Sequence, residues 1–172
     1  DDATVIAAGR DDAMVVTTDT MLEGIDFDLT YFPLKHLGYK AVTVGVSDVL
    51  AMNAQPEQIM ISLGISSKIP VEALQDLYEG INFACKELGV DLVGGDTTAS
   101  MTGLVINITT IGRAKRKAIS YRSGAQFNDL ICITGNLGAA YMGLQLLERE
   151  KRVLRDVENP EPQFTGYEYL LQ

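Results

Sequence analysis

Apolar and polar positions follow two periods along this chain, and the switches between them mark its elements. Ala13–Thr18 (AMVVTT) is short and rich in β-branched residues, which reads as a strand. Residues 33–52 place Leu37, Ala41, Val44 and Met52 on one side of a helix, and Pro33 suits its first turn. Gln58–Ile65 is a second strand. From Val71 to Leu88, the residues Leu74, Leu77, Tyr78, Ile81, Cys85 and Leu88 recur at helical spacing, with Gly89 as the stop signal. Val90–Asp96 reads as a short buried strand, Gly103–Gly112 as a long alternating one, and Asp129–Thr134 as a further one. Gly138–Arg149 has Ala140, Leu144 and Leu147 on one helical side.

The resulting order, β-α-β-α-β-β-β-α, predicts an α+β fold. Helices would pack on one face of a mixed, mainly antiparallel sheet. From Glu148 the pattern gives way to charges and two prolines. The chain is therefore divided into a domain over residues 1–147 and, over 148–172, a linker opening into a truncated further domain. A start at Asp1 without methionine fits a piece of a longer protein.

Composition narrows the chemistry. The chain has 172 residues, enough for one domain with a real core. Acids outnumber bases 23 to 14, giving a net charge of −9. Phosphate-backbone binding wants a basic face, so nucleic acid is not an expected partner. No apolar run approaches the ~20 residues that span a bilayer. Cys85 and Cys132 fit no zinc spacing and read as buried free thiols of a cytoplasmic protein. His36 is the only histidine, so histidine-rich metal sites are out of reach.

What remains is oxygen chemistry. Acids stand at strand ends, in glycine turns or within an apolar helix: Asp1–Asp2, Asp19 after Thr17 and Thr18, Asp48, and Asp96 after Gly94–Gly95. A single strand-end Asp is more often a turn residue or cap. Asp48 is less ordinary, flanked by Val46, Val49 and Leu50; an ion pair with Lys40 or another base would account for it, as would a metal. Taken together, acids with adjacent hydroxyls and no histidine fit oxygen coordination of Mg²⁺, which commonly takes phosphate ligands as well.

A second group lies in Tyr121–Ala140. Arg122 suits bidentate phosphate contact or an exposed surface position. Thr134–Ala140 is a glycine turn opening a helix, able to face an anion or simply to make a tight connection. Tyr78 is most simply a core residue. The dinucleotide-binding fingerprint and the P-loop are both absent.

The segments DDATV, TTDTMLEGIDF, LGYKAVTVGVSDVLAMNAQP, LVGGDTT and YRSGAQFNDLICITGNLGAAYMGLQLL occur in that order. As an ordered set they resemble the thiamine-monophosphate kinase family, within the superfamily of aminoimidazole ribonucleotide synthetase. The resemblance runs to about Leu147 and corresponds to that family's N-terminal domain. It implies ATP-dependent, Mg²⁺-assisted, in-line phosphorylation of thiamine monophosphate to thiamine diphosphate. Asp2, Thr17, Thr18, Asp19, Asp48 and Asp96 would be Mg²⁺ ligands. Gly95 and Asp96 would meet the ATP phosphates, Arg122 would bind ATP, and Tyr78 would contact the nucleotide. A homodimer formed through the sheets is implied, with the active site near its interface. Where the family usually reads EGxHF, with a substrate-contacting histidine, this chain has Asp26, which thereby becomes the substrate-binding candidate. A related ATP-dependent enzyme with another small substrate, and a catalytically silent dimeric nucleotide-binding homologue, are the alternatives.

Overall fold

A computed structural model describes residues 1–155, which form two compact units, Asp1–Ala125 and a second beginning at Gln126. Most of the expected linker, from Asp156 on, lies outside the described residues.

The first unit runs β1 (Thr4–Ala7), β2 (Asp12–Leu22), α1 (Leu34–Ala51), β3 (Gln55–Ile65), α2 (Val71–Leu88), β4 (Asp91–Ala99) and β5 (Val105–Lys115). Its sheet has the order β1-β2-β5-β3-β4. β3 and β4 pair in parallel, with α2 as their crossover, and every other pair is antiparallel. This is the mixed, mainly antiparallel sheet that the pattern predicts.

Strand alternation decides which face is covered. On β2, Ala13, Val15, Thr17 and Met21 are buried, whereas Asp12, Thr18, Thr20 and Leu22 are exposed. Ile106, Ile108 and Thr110 of β5 and Ile59, Ile61 and Leu63 of β3 join that buried face. α1 adds Leu37, Ala41, Val42 and Val46, and α2 adds Leu77, Ile81 and Ala84. Each buried Leu or Ile contributes roughly 1.5–3 kcal/mol. A one-residue slip would turn such a row to solvent, so the register is strongly specified.

The two helices touch backbone to backbone. A Cβ on Gly38 of α1 would collide with the Leu77 carbonyl oxygen, and one on Gly80 of α2 with that of Lys35. α2 ends at Gly89, whose φ of 67° is the left-handed conformation that closes a helix C-terminus.

Several details depart from the sequence pattern. β1 is an edge strand too short for its alternation to stand out. Asp129–Thr134 forms no strand; Leu130, Ile131 and Ile133 are exposed and no described strand pairs with them, so the apolar run there lacks the partner a strand requires. Cys85 is buried as expected, but Cys132 is exposed in that same stretch. In the second unit, α3 (Ala139–Leu154) follows Gly138 (φ 89°) and runs through the boundary expected after Leu147.

Candidate functional site

Alternation along β2 turns Thr17 and Asp19 toward α1, and α1 brings Asp48 down to meet them. The Thr17 hydroxyl donates to Asp48 Oδ2 at 2.9 Å, with the Asp2 backbone carbonyl also in reach at 3.3 Å. Asp48 is thus partnered by a hydroxyl and not by Lys40, whose Nζ donates to the Asp26 carbonyl at 2.7 Å and lies 5.4 Å from the Phe32 ring centre. Asp19 Oδ2 is buried and, among the described residues, has no hydrogen-bond partner. Burial pushes the Asp19 carboxyl up, and the neighbouring Asp48 charge pushes it further.

Arg122 closes this cluster from the side. Its Nε reaches Asp2 Oδ2 at 3.4 Å and its Nη2 pairs with Asp2 Oδ1, while its backbone N–H donates to Asp1 Oδ1 at 3.0 Å. The guanidinium holds the Asp2 carboxyl below the usual carboxylate range, chiefly through these hydrogen bonds. Two residues expected in different roles, metal ligand and ATP binder, are therefore in direct contact.

Thr18 points the other way. Its hydroxyl lies on the uncovered sheet face, 3.3 Å from both Thr109 Oγ1 and Asn107 Nδ2. Its side chain is not brought to Asp48.

Tyr78, Gly95 and Asp96 are brought together elsewhere, along a groove of about 500 Å³ that Ile61 and Gly94 also line. The glycines have separate causes. A Cβ on Gly95 would overlap the Ile61 carbonyl oxygen of β3, so Gly95 is required for the two strands to approach. Nothing lies within 4 Å of a Cβ on Gly94, which leaves its backbone open to a ligand. Asp19 stands in the row Asp19–Ile108–Ile61–Gly95. Three strand spacings, about 14 Å, therefore separate Asp19 from the Gly95–Asp96 backbone. Among the described residues, no three His, Cys, Asp or Glu side chains converge on one point.

Asp26 has a local function. Its Oδ2 accepts from the Leu22 backbone N–H at 2.8 Å, and its own N–H donates to the Leu22 carbonyl at 2.9 Å. This carboxylate fastens the turn after β2 whatever else it meets.

The donor set near Asp48 suits a hard divalent cation. Two mutually repelling carboxylates, an orphaned buried carboxylate oxygen and a hydroxyl are oxygen ligands of the kind Mg²⁺ takes. A cation there would satisfy Asp19 Oδ2 and offset the repulsion. The sequence pattern did not single out Asn107 or Thr110. Asn107 Nδ2 donates to the Asp19 carbonyl at 3.1 Å and to Thr20 Oγ1 at 2.8 Å. Thr110 is fully buried opposite Thr17, its hydroxyl likewise without a partner among the described residues. The only sequence signal was their place in the alternation of β5.

The profile of the AIR synthase related protein family, N-terminal domain, matches residues 1–114. The chain is 37% identical over 150 residues to a thiamine-monophosphate kinase of Bacillus subtilis, a match covering 87% of this chain and 46% of that one. It is 34% identical over 156 residues to one of Pyrococcus horikoshii, covering 88% and 49%. The chain thus spans about half the length of the curated relatives it matches. Among solved structures, thiamine monophosphate kinase of Aquifex aeolicus superposes with a TM-score of 0.81 at 29% identity, over 99% of this chain and 53% of that one. A structure described as AaThiL complexed with AMPPCP and TMP gives the same TM-score at 27% identity, over 99% and 56%.

Proposed function

The chain belongs to the AIR synthase related protein family, and on that footing we propose that it is the ATP- and Mg²⁺-binding part of an enzyme that phosphorylates thiamine monophosphate to thiamine diphosphate. The observation that carries the reading is the orphaned, buried Asp19 oxygen beside Asp48 and Thr17, in a chain whose single histidine, His36, is exposed. The names of the relatives supply the substrate.

The attacking group of such a reaction is a phosphate oxygen, already ionised at neutral pH, so no histidine base is needed. The task is to hold two anions in line. Asp19, Asp48 and Thr17 hold Mg²⁺ at the acidic cluster, with Asp2 available once Arg122 turns away. Asp96 holds Mg²⁺ at the groove, where Gly95 meets the ATP phosphates and Tyr78 the nucleotide. Thr18 takes part through its backbone, because its hydroxyl faces the other side of the sheet. Bound Mg²⁺ supplies charge neutralisation between donor and acceptor phosphates. Arg122 exchanges Asp2 for an ATP phosphate, a partner of the same bidentate geometry. Asp26 shapes the turn at the substrate end and contacts the substrate from it.

A homodimer belongs to the same proposal. The uncovered sheet face carries exposed Ile6, Leu22 and Met60, and the acidic cluster and the groove stand about 14 Å apart within one chain. A cytoplasmic location is also proposed, consistent with two free thiols; no helix among the described residues is long and apolar enough to cross a membrane.

The test is ATP-dependent formation of thiamine diphosphate from thiamine monophosphate by the full-length protein. Turnover is expected. Mg·ATP binding without turnover would sink the substrate assignment and favour another small acceptor.

A further inference from the structure

Thr110 is fully buried, yet its hydroxyl has no hydrogen-bond partner among the described residues. A buried unpaired hydroxyl is unfavourable, so its presence asks for a reason other than bonding. Its neighbours supply one. Thr110 of β5 is the register partner of Thr17 of β2, and both face α1. Two α1 residues, three positions apart and hence neighbours on the helix surface, bear on that one row. Asp48 accepts from Thr17, and Gly45 lies against Thr110, so closely that a Cβ on Gly45 would collide with Thr110 Oγ1. One turn along, a Cβ on Gly112 of β5 would collide with Val49.

We propose that Gly45 and Thr110 are positioning residues for the cation cluster: the glycine and the hydroxyl oxygen together set how closely α1 approaches β5, and so hold Asp48 within reach of Thr17 and Asp19. An oxygen is smaller than a methyl group. Threonine therefore fills the space beneath Gly45 while letting the helix come nearer than valine would. The unpartnered hydroxyl is kept for its size. The inference rests on the reading of Thr17, Asp19 and Asp48 as a Mg²⁺ site.

The experiment is calorimetric titration of Mg²⁺ alone into the full chain, with thermal melting in chelator alongside. Gly45→Ala is expected to weaken Mg²⁺ binding at least tenfold. Adding Thr110→Ala should bring affinity back to within about threefold of the parent, because the collision with Oγ1 is removed and the next atoms, the residue-110 Cβ at 3.4 Å and Ile108 Cγ2 at 3.5 Å, stand at ordinary contact distances. Thr110→Val is expected to fold with a melting temperature close to the parent's, since losing an unpaired polar group offsets the crowding by the methyl, while binding Mg²⁺ several-fold more weakly. A merely structural pair would not separate stability from affinity in this way. Parental Mg²⁺ affinity in Thr110→Val, or a double variant no tighter than Gly45→Ala, overturns the proposal; if Gly45→Ala does not fold, Thr110→Val alone decides. A parent chain that takes no Mg²⁺ overturns the cation reading itself, and this inference with it, whereas a binding parent with indifferent variants overturns this inference alone.

Discussion

Arg122 holds Asp2 with two nitrogens, Nε on Oδ2 at 3.4 Å and Nη2 on Oδ1. The guanidinium occupies the carboxylate a metal would use, and the carboxylate occupies the guanidinium a phosphate would use. On the proposed function, each ion stands in for the other's ligand. Arg122→Ala should therefore tighten binding of Mg²⁺ alone by a few fold, by removing a competing cation, and weaken ATP binding by tenfold or more. Calorimetry with Mg²⁺ and then Mg·ATP reads both signs. A loss in both would mean that the pair supports the site instead of blocking it.

The pH dependence of that pair has a definite direction. Asp2 is held below the ordinary carboxylate range by Arg122. Its contribution to stability is therefore complete above an ordinary aspartate's pKa and is lost as pH falls through the lowered value. In chelator, Arg122→Ala should cost some melting temperature at pH 7 and nothing in strong acid. A penalty that stayed constant into acid would show that Arg122 acts through packing.

Asp19 runs the opposite way. Its folded-state carboxyl is raised by burial and by the Asp48 charge. It lowers stability once ionised, above an ordinary pKa of about 3.9, and the cost grows until pH passes the raised value. Asp19→Asn should thus melt higher than the parent at pH 7 in chelator and show no advantage below about pH 3. It should also lose most affinity for Mg²⁺. A variant that melted lower at pH 7 would contradict the electrostatic account.

Adjacent glycines should behave differently. Gly95→Ala drives a Cβ into the Ile61 carbonyl and should cost roughly 1–3 kcal/mol, as overpacking does. Gly94→Ala meets nothing within 4 Å and should fold like the parent. If the groove takes nucleotide, Gly94→Ala nevertheless weakens Mg·ATP binding. Asp96→Asn, at an exposed position, should abolish Mg·ATP binding with an unchanged melting curve. Urea titration and calorimetry separate the two effects; normal Mg·ATP affinity in Asp96→Asn would remove Asp96 from the site.

Asp26→Ala deletes the acceptor for the Leu22 amide and should destabilise by about 1 kcal/mol. Asp26→Asn keeps an acceptor oxygen and should melt close to the parent. Equal losses in both would mean that the charge, and not the hydrogen bond, holds the turn.

The covered face was legible because burial imposes a period. β2, α1, β3, α2 and β5 all follow alternation or helical spacing, and α2 spans Val71–Leu88 as expected. Asp129–Thr134 shows the limit: its short apolar run reads as a strand, but pairing is a property of two segments, and no described strand answers it. Site residues divided along the same line. Thr17, Asp19 and Asp48 meet because each lies on a buried face that the pattern marks. Thr18 looked equivalent to Thr17, yet one step along a strand reverses the direction of a side chain. The separation of Asp96 from Asp19 came from strand order, with β5 and β3 inserted between β2 and β4, which no local pattern encodes.

The backbone contact of Gly38 with Leu77 and of Gly80 with Lys35 leaves α1 and α2 no room to slide. α1 carries Asp48 and α2 carries Tyr78, so the acidic cluster and the groove are two marks on one fixed ruler. A molecule that engages both must match that span from the outset. A tethered bisubstrate inhibitor should accordingly show a sharp optimum in linker length, and loosening the ruler with a bulkier residue at Gly80 should broaden it.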